Sequence, residues 1–297
     1  MPEPKPYTDF LSTAQFLDHV ARAFNEDLGQ GHTRGDHSSI ACFGHDQLGE
    51  AQLMIKAPGI IAGLGLVADI MHSYDSSIAL EFLGKDGDAV QPGDVMMKAR
   101  GKMASLLGAE RTMLNFLQRL SGVATATQQL TQLIEGTEAQ LLDTRKTTPG
   151  WRALEKWAVH VGGGSNHRMG LHDMIMLKDN HVDFAGGITE AVSRTVAYLD
   201  AKGLDLAIEV ETRNMEEVRE ALSLEAVTRI MLDNFTPAQC REAVACIGGD
   251  KEVEASGGLT AETLRAYAET GVDYLSVGAL THSVVGLDMN FKSVCKD

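Results

Sequence analysis

At 297 residues, 44% hydrophobic but only 5% aromatic, the chain is long enough for one or two domains around a large aliphatic core. A net charge of −15 and a pI near 5.1 produce a field that repels polyanions, which argues against nucleic acid and anionic membrane surfaces as partners. Cys42, Cys240, Cys246 and Cys295 form neither a CxxC pair nor a disulfide-framework spacing, and no run approaches the roughly 20 apolar residues of a membrane span, so a cytoplasmic location is expected.

The N-terminal part reads as an α+β domain. A helical pattern covers Phe10 to Leu28, and extended segments follow at Gln52 to Ile55 and Ala89 to Ala99, beside turn signals at Asp86-Gly87-Asp88 and Pro92-Gly93-Asp94. Apolar residues recur at helical spacing from Leu106 to Leu120, and a domain boundary is expected inside that stretch. Residues 1–113 then form the first domain, with the tail 283–297 packing on it, and 114–282 form the second.

From Ala139 onward, short β-rich runs alternate with helical patterns, the signature of a parallel sheet or barrel. The runs are Ala139 to Leu142, Met174 to Leu177, Leu206 to Val210, Arg229 to Leu232, Glu252 to Ala255 and Asp273 to Val277. Helices are predicted over Trp151 to Val161, Thr189 to Lys202, Met215 to Leu224, Pro237 to Cys246 and Ala261 to Thr270. Thr236-Pro237 and Thr260 supply start signals for the last two.

Loops that follow strands line the catalytic face of such a barrel. Here the first strand runs into Asp143, Arg145 and Lys146, the second into Lys178 and Asn180, the third into Glu211, and the fourth into Asp233 and Asn234. The fifth ends at Ser256-Gly257-Gly258 and the sixth at Gly278. Polar residues terminate strands everywhere, but that does not explain the sorting into cations, then acids, then glycines.

The stretch from Arg145 to His181 gathers Arg145, Lys146, Arg152, Lys156, Arg168 and Lys178 against only Glu155, Asp173 and Asp179. In an acidic chain this is a local anion collector, carried on three loops: 144–150, 162–168 and 178–181. Arg145, His167, Arg168 and Lys178 suit a small dicarboxylate, because guanidinium forks bind carboxylates in bidentate fashion. Lys146 suits a pyrophosphate. Arg111 lies on a helix outside these units, where a solvated surface charge is the plain reading.

Ser256-Gly257-Gly258-Leu259-Thr260 turns a strand end into a helix through side-chain-free backbone, which lets amide N–H groups approach a phosphate. Gly278 and His282 extend that cradle. Glu211 and Asp233, on successive strand ends, suit ribose hydroxyls, a hydrated Mg²⁺ or an oxocarbenium ion, and salt bridges to Lys146 and Lys178 are the bland alternative. Glu209 lies on the same face as Glu211, one layer deeper, and needs a buried partner that the sequence does not identify. No HExxH or Cys/His arrangement surrounds His160, His172 or His181, so no zinc site is expected.

These residues give the chain its resemblance to the quinolinate phosphoribosyltransferase family, the carboxylating nicotinate-nucleotide pyrophosphorylases. It resembles that family through Glu26-Asp27-Leu28-Gly29, Gly59-Ile60-Ile61-Ala62-Gly63, Glu110-Arg111-Thr112, Thr144-Arg145-Lys146-Thr147, Gly162-Gly163-Gly164 and Asn166-His167-Arg168. Further along it does so through Lys178-Asp179-Asn180-His181, Glu209-Val210-Glu211, Leu232-Asp233-Asn234 and Glu254-Ala255-Ser256-Gly257-Gly258. The resemblance spans nearly the whole chain and implies an α/β fold: an N-terminal α/β sandwich domain followed by an open-faced, incomplete α/β barrel of parallel strands. It further implies a homodimer, or a higher oligomer built from it, in which Arg111 of one subunit reaches the other's site.

The implied reaction is transfer of the phosphoribosyl group of phosphoribosyl pyrophosphate to the ring nitrogen of quinolinate with decarboxylation, in de novo NAD biosynthesis. The implied cofactor is Mg²⁺, with no organic cofactor. Arg111, Arg145, His167, Arg168 and Lys178 would hold quinolinate. Lys146, Glu211 and Asp233 take the catalytic roles and engage phosphoribosyl pyrophosphate, with Glu211 and Asp233 as Mg²⁺ ligands, directly or through water. Ser256, Gly257, Gly258, Gly278 and His282 would hold the 5-phosphate. The loop 30–37 is longer and more basic than the family's usual continuation, and Ala57-Pro58 replaces an acidic residue before the proline. Two other readings keep the same residues: an aldolase using Lys146 or Lys178 as a Schiff-base amine, and a non-catalytic binder of phosphorylated metabolites.

Overall fold

The computed structural model describes residues 4–43 and 46–294, so Cys295 lies outside the described residues. The chain divides into two compact units: Met1–Gln128 with Thr148–Gly163 and Ser283–Asp297, and Gln129–Thr147 with Gly164–His282.

In the first unit, helix α1 (Thr13–Leu28) begins at a capping box in which Ser12 Oγ accepts the Gln15 amide at 3.3 Å. It buries Phe16, Val20 and Phe24, four residues apart on one face. The short α2 (His37–Cys42) is capped by Asp36, and the basic loop before it is tied down locally, Arg34 donating to Asn25 Oδ1 and the Gly29 carbonyl. Then come β1 (Leu48–Ile55), β2 (Gly59–Ile60), α3 (Leu64–Tyr74), β3 (Ala79–Phe82), β4 (Ala89–Val90), β5 (Val95–Lys102) and the long α4 (Met103–Leu133). Helix α4 is continuous through residue 113, with no proline to stop it, and its residues as far as Gln128 belong to this unit.

The second unit carries β6 (Gln140–Leu142). After it, α5 (Arg152–Val161) belongs to the first unit, where its Trp157 indole N–H donates to the Lys5 carbonyl at 2.9 Å and its buried Glu155 takes Arg119 at 2.7 Å. The second unit resumes with β7 (Ile175–Leu177), α6 (Asp179–Ala185), α7 (Ile188–Lys202), β8 (Ile208–Thr212), α8 (Met215–Leu222), β9 (Arg229–Asp233) and α9 (Pro237–Ile247). It ends with β10 (Glu252–Ser256), α10 (Ala261–Ala268), β11 (Tyr274–Ser276) and α11 (Ala279–His282). The six strands form one parallel sheet in the order β6-β11-β10-β9-β8-β7. That order runs down the chain from the last strand to the second, so β6 and β7 would be neighbours in a closed barrel. They form the two edges instead, which is the open-faced arrangement.

The last strand, β12 (Met289–Ser293), pairs antiparallel with β1 in the first unit, Ile55 opposite Met289 and Ala51 opposite Ser293. The antiparallel sheet there has the order β12-β1-β5-β3. Its inner face shows the expected period of two, with Ala51, Leu53 and Ile55 buried along β1. The parallel strands instead carry continuous buried runs, as in Ile208, Glu209 and Val210, because helices cover the outer face of the sheet.

Candidate active site

The C-terminal ends of the parallel strands open onto a cavity of about 810 Å³, within the range of small-molecule sites. Parallel strands put all their C-terminal ends on one side, so residues far apart in sequence converge there. Arg145, Lys146, His167, Arg168, Lys178, Glu211, Asp233, Ser256, Gly257, Gly258, Gly278 and His282 all line it. Arg111 does not; it is exposed on α4 in the first unit. Nor do Arg152 and Lys156, which lie on α5, Lys156 fully buried.

The cationic wall is built on two anchors. Asp143, fully buried at the end of β6, accepts the His167 amide at 2.9 Å and the Asn166 side-chain amide at 2.6 Å, fixing the turn that carries Arg168. Arg168 donates through Nη1 to the Met174 carbonyl at 3.1 Å. Burial, and then the neighbouring charge of Arg145, both lower the Arg168 pKa from its ordinary value. Two guanidinium groups that repel each other in a half-buried wall are a site for an anion. Lys178 was expected in a loop; it is the residue before α6, and its amide donates to His181 Nδ1 at 3.0 Å. A helix starts there because the chain turns directly from β7 into residues whose apolar Val182 packs inward.

The acidic wall follows. Glu211 Oε2 lies 2.5 Å from Lys178 Nζ, so the expected salt bridge forms with Lys178. An ammonium held this way is a poor Schiff-base amine, which counts against the aldolase reading at this position. Asp233 accepts instead from Asn234 Nδ2 at 2.7 Å. Asn234 is the one non-glycine residue with positive φ (58°) among the described residues, and it makes the turn from β9 toward α9.

Gly257 is held to glycine by close approach and a positive φ, and Gly258 by a positive φ of 63°, while at Gly278 the lysine side chain opposite would have to shift. A Cβ on Gly257 (φ 100°) would stand 2.3 Å from Asn234 Oδ1, and one on Gly278 would stand 2.9 Å from Lys146 Cδ. Thr281 holds the Lys146 carbonyl from the same end of the sheet, at 2.7 Å. Bare backbone in this corner leaves amides within reach of a phosphate.

Beneath the cavity, Glu209 has the buried partner the sequence left open. His167 Nε2 is 3.1 Å from Glu209 Oε2 and 3.3 Å from Glu254 Oε2. Burial alone would lower the His167 pKa; the two glutamates outweigh it and push it up to about 9. Sequence reasoning gave Glu254 no role. The signal was available, since Glu254 precedes Ser256 by two residues, as Glu209 precedes Glu211.

The chain matches the family model of the quinolinate phosphoribosyl transferase N-terminal domain over residues 36–121 and that of the C-terminal domain over residues 123–292. It is 44% identical over 287 residues to the chloroplastic carboxylating nicotinate-nucleotide pyrophosphorylase of Arabidopsis thaliana, covering 92% of this chain and 81% of that protein. It is 41% identical over 280 residues to a probable carboxylating nicotinate-nucleotide pyrophosphorylase of Bacillus subtilis, covering 94% and 93%. The crystal structure of NadC from Streptococcus pyogenes superposes with a TM-score of 0.90 at 36% identity, covering 97% of this chain and 99% of that one.

Proposed function

The chain belongs to the quinolinate phosphoribosyltransferase family, and from that premise we propose how its cavity divides the work of the reaction. It is a decarboxylating pentosyltransferase of NAD biosynthesis, converting quinolinate and phosphoribosyl pyrophosphate to nicotinate mononucleotide, pyrophosphate and CO₂. The observation that carries the division of roles is the convergence of cations, paired acids and glycine turns on one cavity.

Arg145, Arg168 and Lys178 take the carboxylates of quinolinate, with the charge of His167 below them. Ser256, Gly257, Gly258, Gly278 and His282 hold the 5-phosphate, and Lys146 meets the pyrophosphate. Glu211 and Asp233 hold the ribose so that the ring nitrogen faces the anomeric carbon. As that nitrogen bonds to carbon, the bond to pyrophosphate breaks and its electron pair leaves with the pyrophosphate. The positive charge that develops on the ribose is stabilised by the two carboxylates. The alkylated ring then accepts the electron pair left by the departing 2-carboxylate, and a proton replaces CO₂ at that carbon.

Glu211 and Asp233 also fit a magnesium ion: they are hard oxygen donors on adjacent strands, Glu211 opposite Met231 and Asp233 at the end of β9, with both side chains lining the cavity. They would hold it directly or through water, and bound Mg²⁺ supplies charge neutralisation for the pyrophosphate.

We further propose a homodimer in which Arg111 reaches the partner's cavity, which gives a purpose to a family-motif arginine that stands exposed on α4 of the first unit. The proposed location is the cytoplasm; Cys42, Cys240 and Cys246 are unbridged, as suits a reducing compartment, although the Arabidopsis relative is named chloroplastic. No helix among the described residues is long and apolar enough to cross a membrane.

The test is a product assay with quinolinate and nicotinate in parallel, each with phosphoribosyl pyrophosphate and Mg²⁺, following CO₂ and pyrophosphate. Release of both from quinolinate alone is expected, and preference for nicotinate would overturn the substrate. Lys146→Ala and Glu211→Ala should each lose most turnover with the fold retained. Near wild-type kinetics in either would remove that residue's role.

A further inference from the structure

Two buried glutamates under the cavity have no part in the chemistry above. Glu209 on β8 and Glu254 on β10 are both fully buried, with β9 running between their strands. Burying a lone carboxylate is costly, so a pair persists only where cations and donors share it.

The cations come from opposite sides. Arg229 on β9 approaches from below, its Nη1 3.2 Å from Glu254 Oε2 and its Nε and Nη2 on Glu252 at 3.0 and 2.9 Å, with the Tyr274 ring 4.0 Å from the guanidinium carbon. His167 approaches from above, its Nε2 between the two carboxylates. Also around this cluster are Asp143 at the end of β6, which holds the His167 amide, Arg168 beside the imidazole, and Ser276 of β11 beside Glu254. One group opposes a fully protonated ring: the Arg168 amide lies 2.7 Å from Nδ1 and points its hydrogen there. Against that stands the charge of the cluster: with a neutral ring, Glu209, Glu252 and Glu254 face Arg229 alone, so a second proton on the imidazole offsets part of the excess, and burial, which raises the Glu209 pKa, makes that carboxyl the competing site for it.

We infer that Glu209 and Glu254 are positioning residues for the aromatic acid, clamping the His167 imidazole at the cavity floor as a cation that backs Arg168 against a substrate carboxylate. This rests on placing quinolinate at the cationic wall. The same three side chains offer ligand atoms within 4.8 Å of one another, a spacing that would also suit a metal ion. Arg229 argues for a proton there, because a guanidinium already on Glu254 disfavours a second, divalent cation beside it.

The experiment is a nitrogen-15 NMR titration of the histidines in the full enzyme, with His167 assigned from the spectrum of a His167→Asn variant. In the wild type, both His167 nitrogens are expected to stay protonated through neutral pH. Glu209→Gln and Glu254→Gln keep the side-chain size and remove the charge. Each should bring the His167 titration down to or below neutrality and raise the quinolinate KM about tenfold at neutral pH, with recovery as the pH is lowered and the phosphoribosyl pyrophosphate KM unchanged. A merely structural defect would not recover on acidification.

A wild-type ring that titrates near the ordinary histidine value would overturn the inference, as would Gln variants with an unaltered pH profile. So would a stoichiometric transition metal in the purified enzyme. If the variants fail to fold, the wild-type titration still decides. Failure of the wild type to use quinolinate would sink the substrate assignment while leaving the ring's charge state readable.

Discussion

Lys178 Nζ and Glu211 Oε2 meet at 2.5 Å across the ends of neighbouring strands, with the lysine side chain 45% exposed and the glutamate 11%. A cation assigned to quinolinate and an acid assigned to the ribose thus neutralise each other across the cavity. Lys178→Met should raise the quinolinate KM about 10–100-fold, the equivalent of one charge-assisted hydrogen bond. Steady-state kinetics with each substrate varied in turn checks this; an effect confined to phosphoribosyl pyrophosphate would place Lys178 in the other subsite.

The raised pKa of His167 has a defined sign. Because the folded-state value lies above the ordinary 6.5, the stabilisation is fully present below about 6.5 and is lost as pH rises through about 9. Quinolinate affinity and thermal stability should therefore both decline between those limits in the wild type. His167→Asn should flatten that part of the pH dependence. Thermal melts and KM measurements across this range test both statements.

Gly257→Ala should disrupt the phosphate corner. The added methyl would press on Asn234, which holds Asp233, and a positive φ costs a non-glycine residue roughly 1–2 kcal/mol. The expected result is a lower melting temperature and a phosphoribosyl pyrophosphate KM raised at least tenfold, about 1.4 kcal/mol or more. Quinolinate binding, measured by calorimetry, should change far less.

Arg111→Ala should be inactive alone yet complemented by mixing with Lys146→Ala. In a mixed dimer one cavity then receives a complete set of residues. Activity should approach a quarter of the wild-type level in an equal mixture, since half of the dimers are mixed and each has one intact site. No recovery after verified subunit exchange would show that Arg111 does not serve a partner's site.

The six-strand pattern and the strand-end residues were legible in the sequence, because β-rich runs, caps and turn glycines are local signals. Observed and expected strands agree closely: Arg229–Asp233 against Arg229 to Leu232, and Gln140–Leu142 against Ala139 to Leu142. Helix α6 was missed because its seven residues are too few to show a period.

Sequence alone determined which residue types stand at the ends of the parallel strands, and so the chemistry available to the cavity. Tertiary structure decided how they pair. Glu254 and Glu209 share His167 only because the sheet order sets β10 and β8 on either side of β9. Lys156, a cation like its neighbours in the sequence, is buried on α5 in the other unit. A helix records in its sequence which face is apolar but not which surface it will meet. Charge partners likewise depend on distances between segments that are distant along the chain.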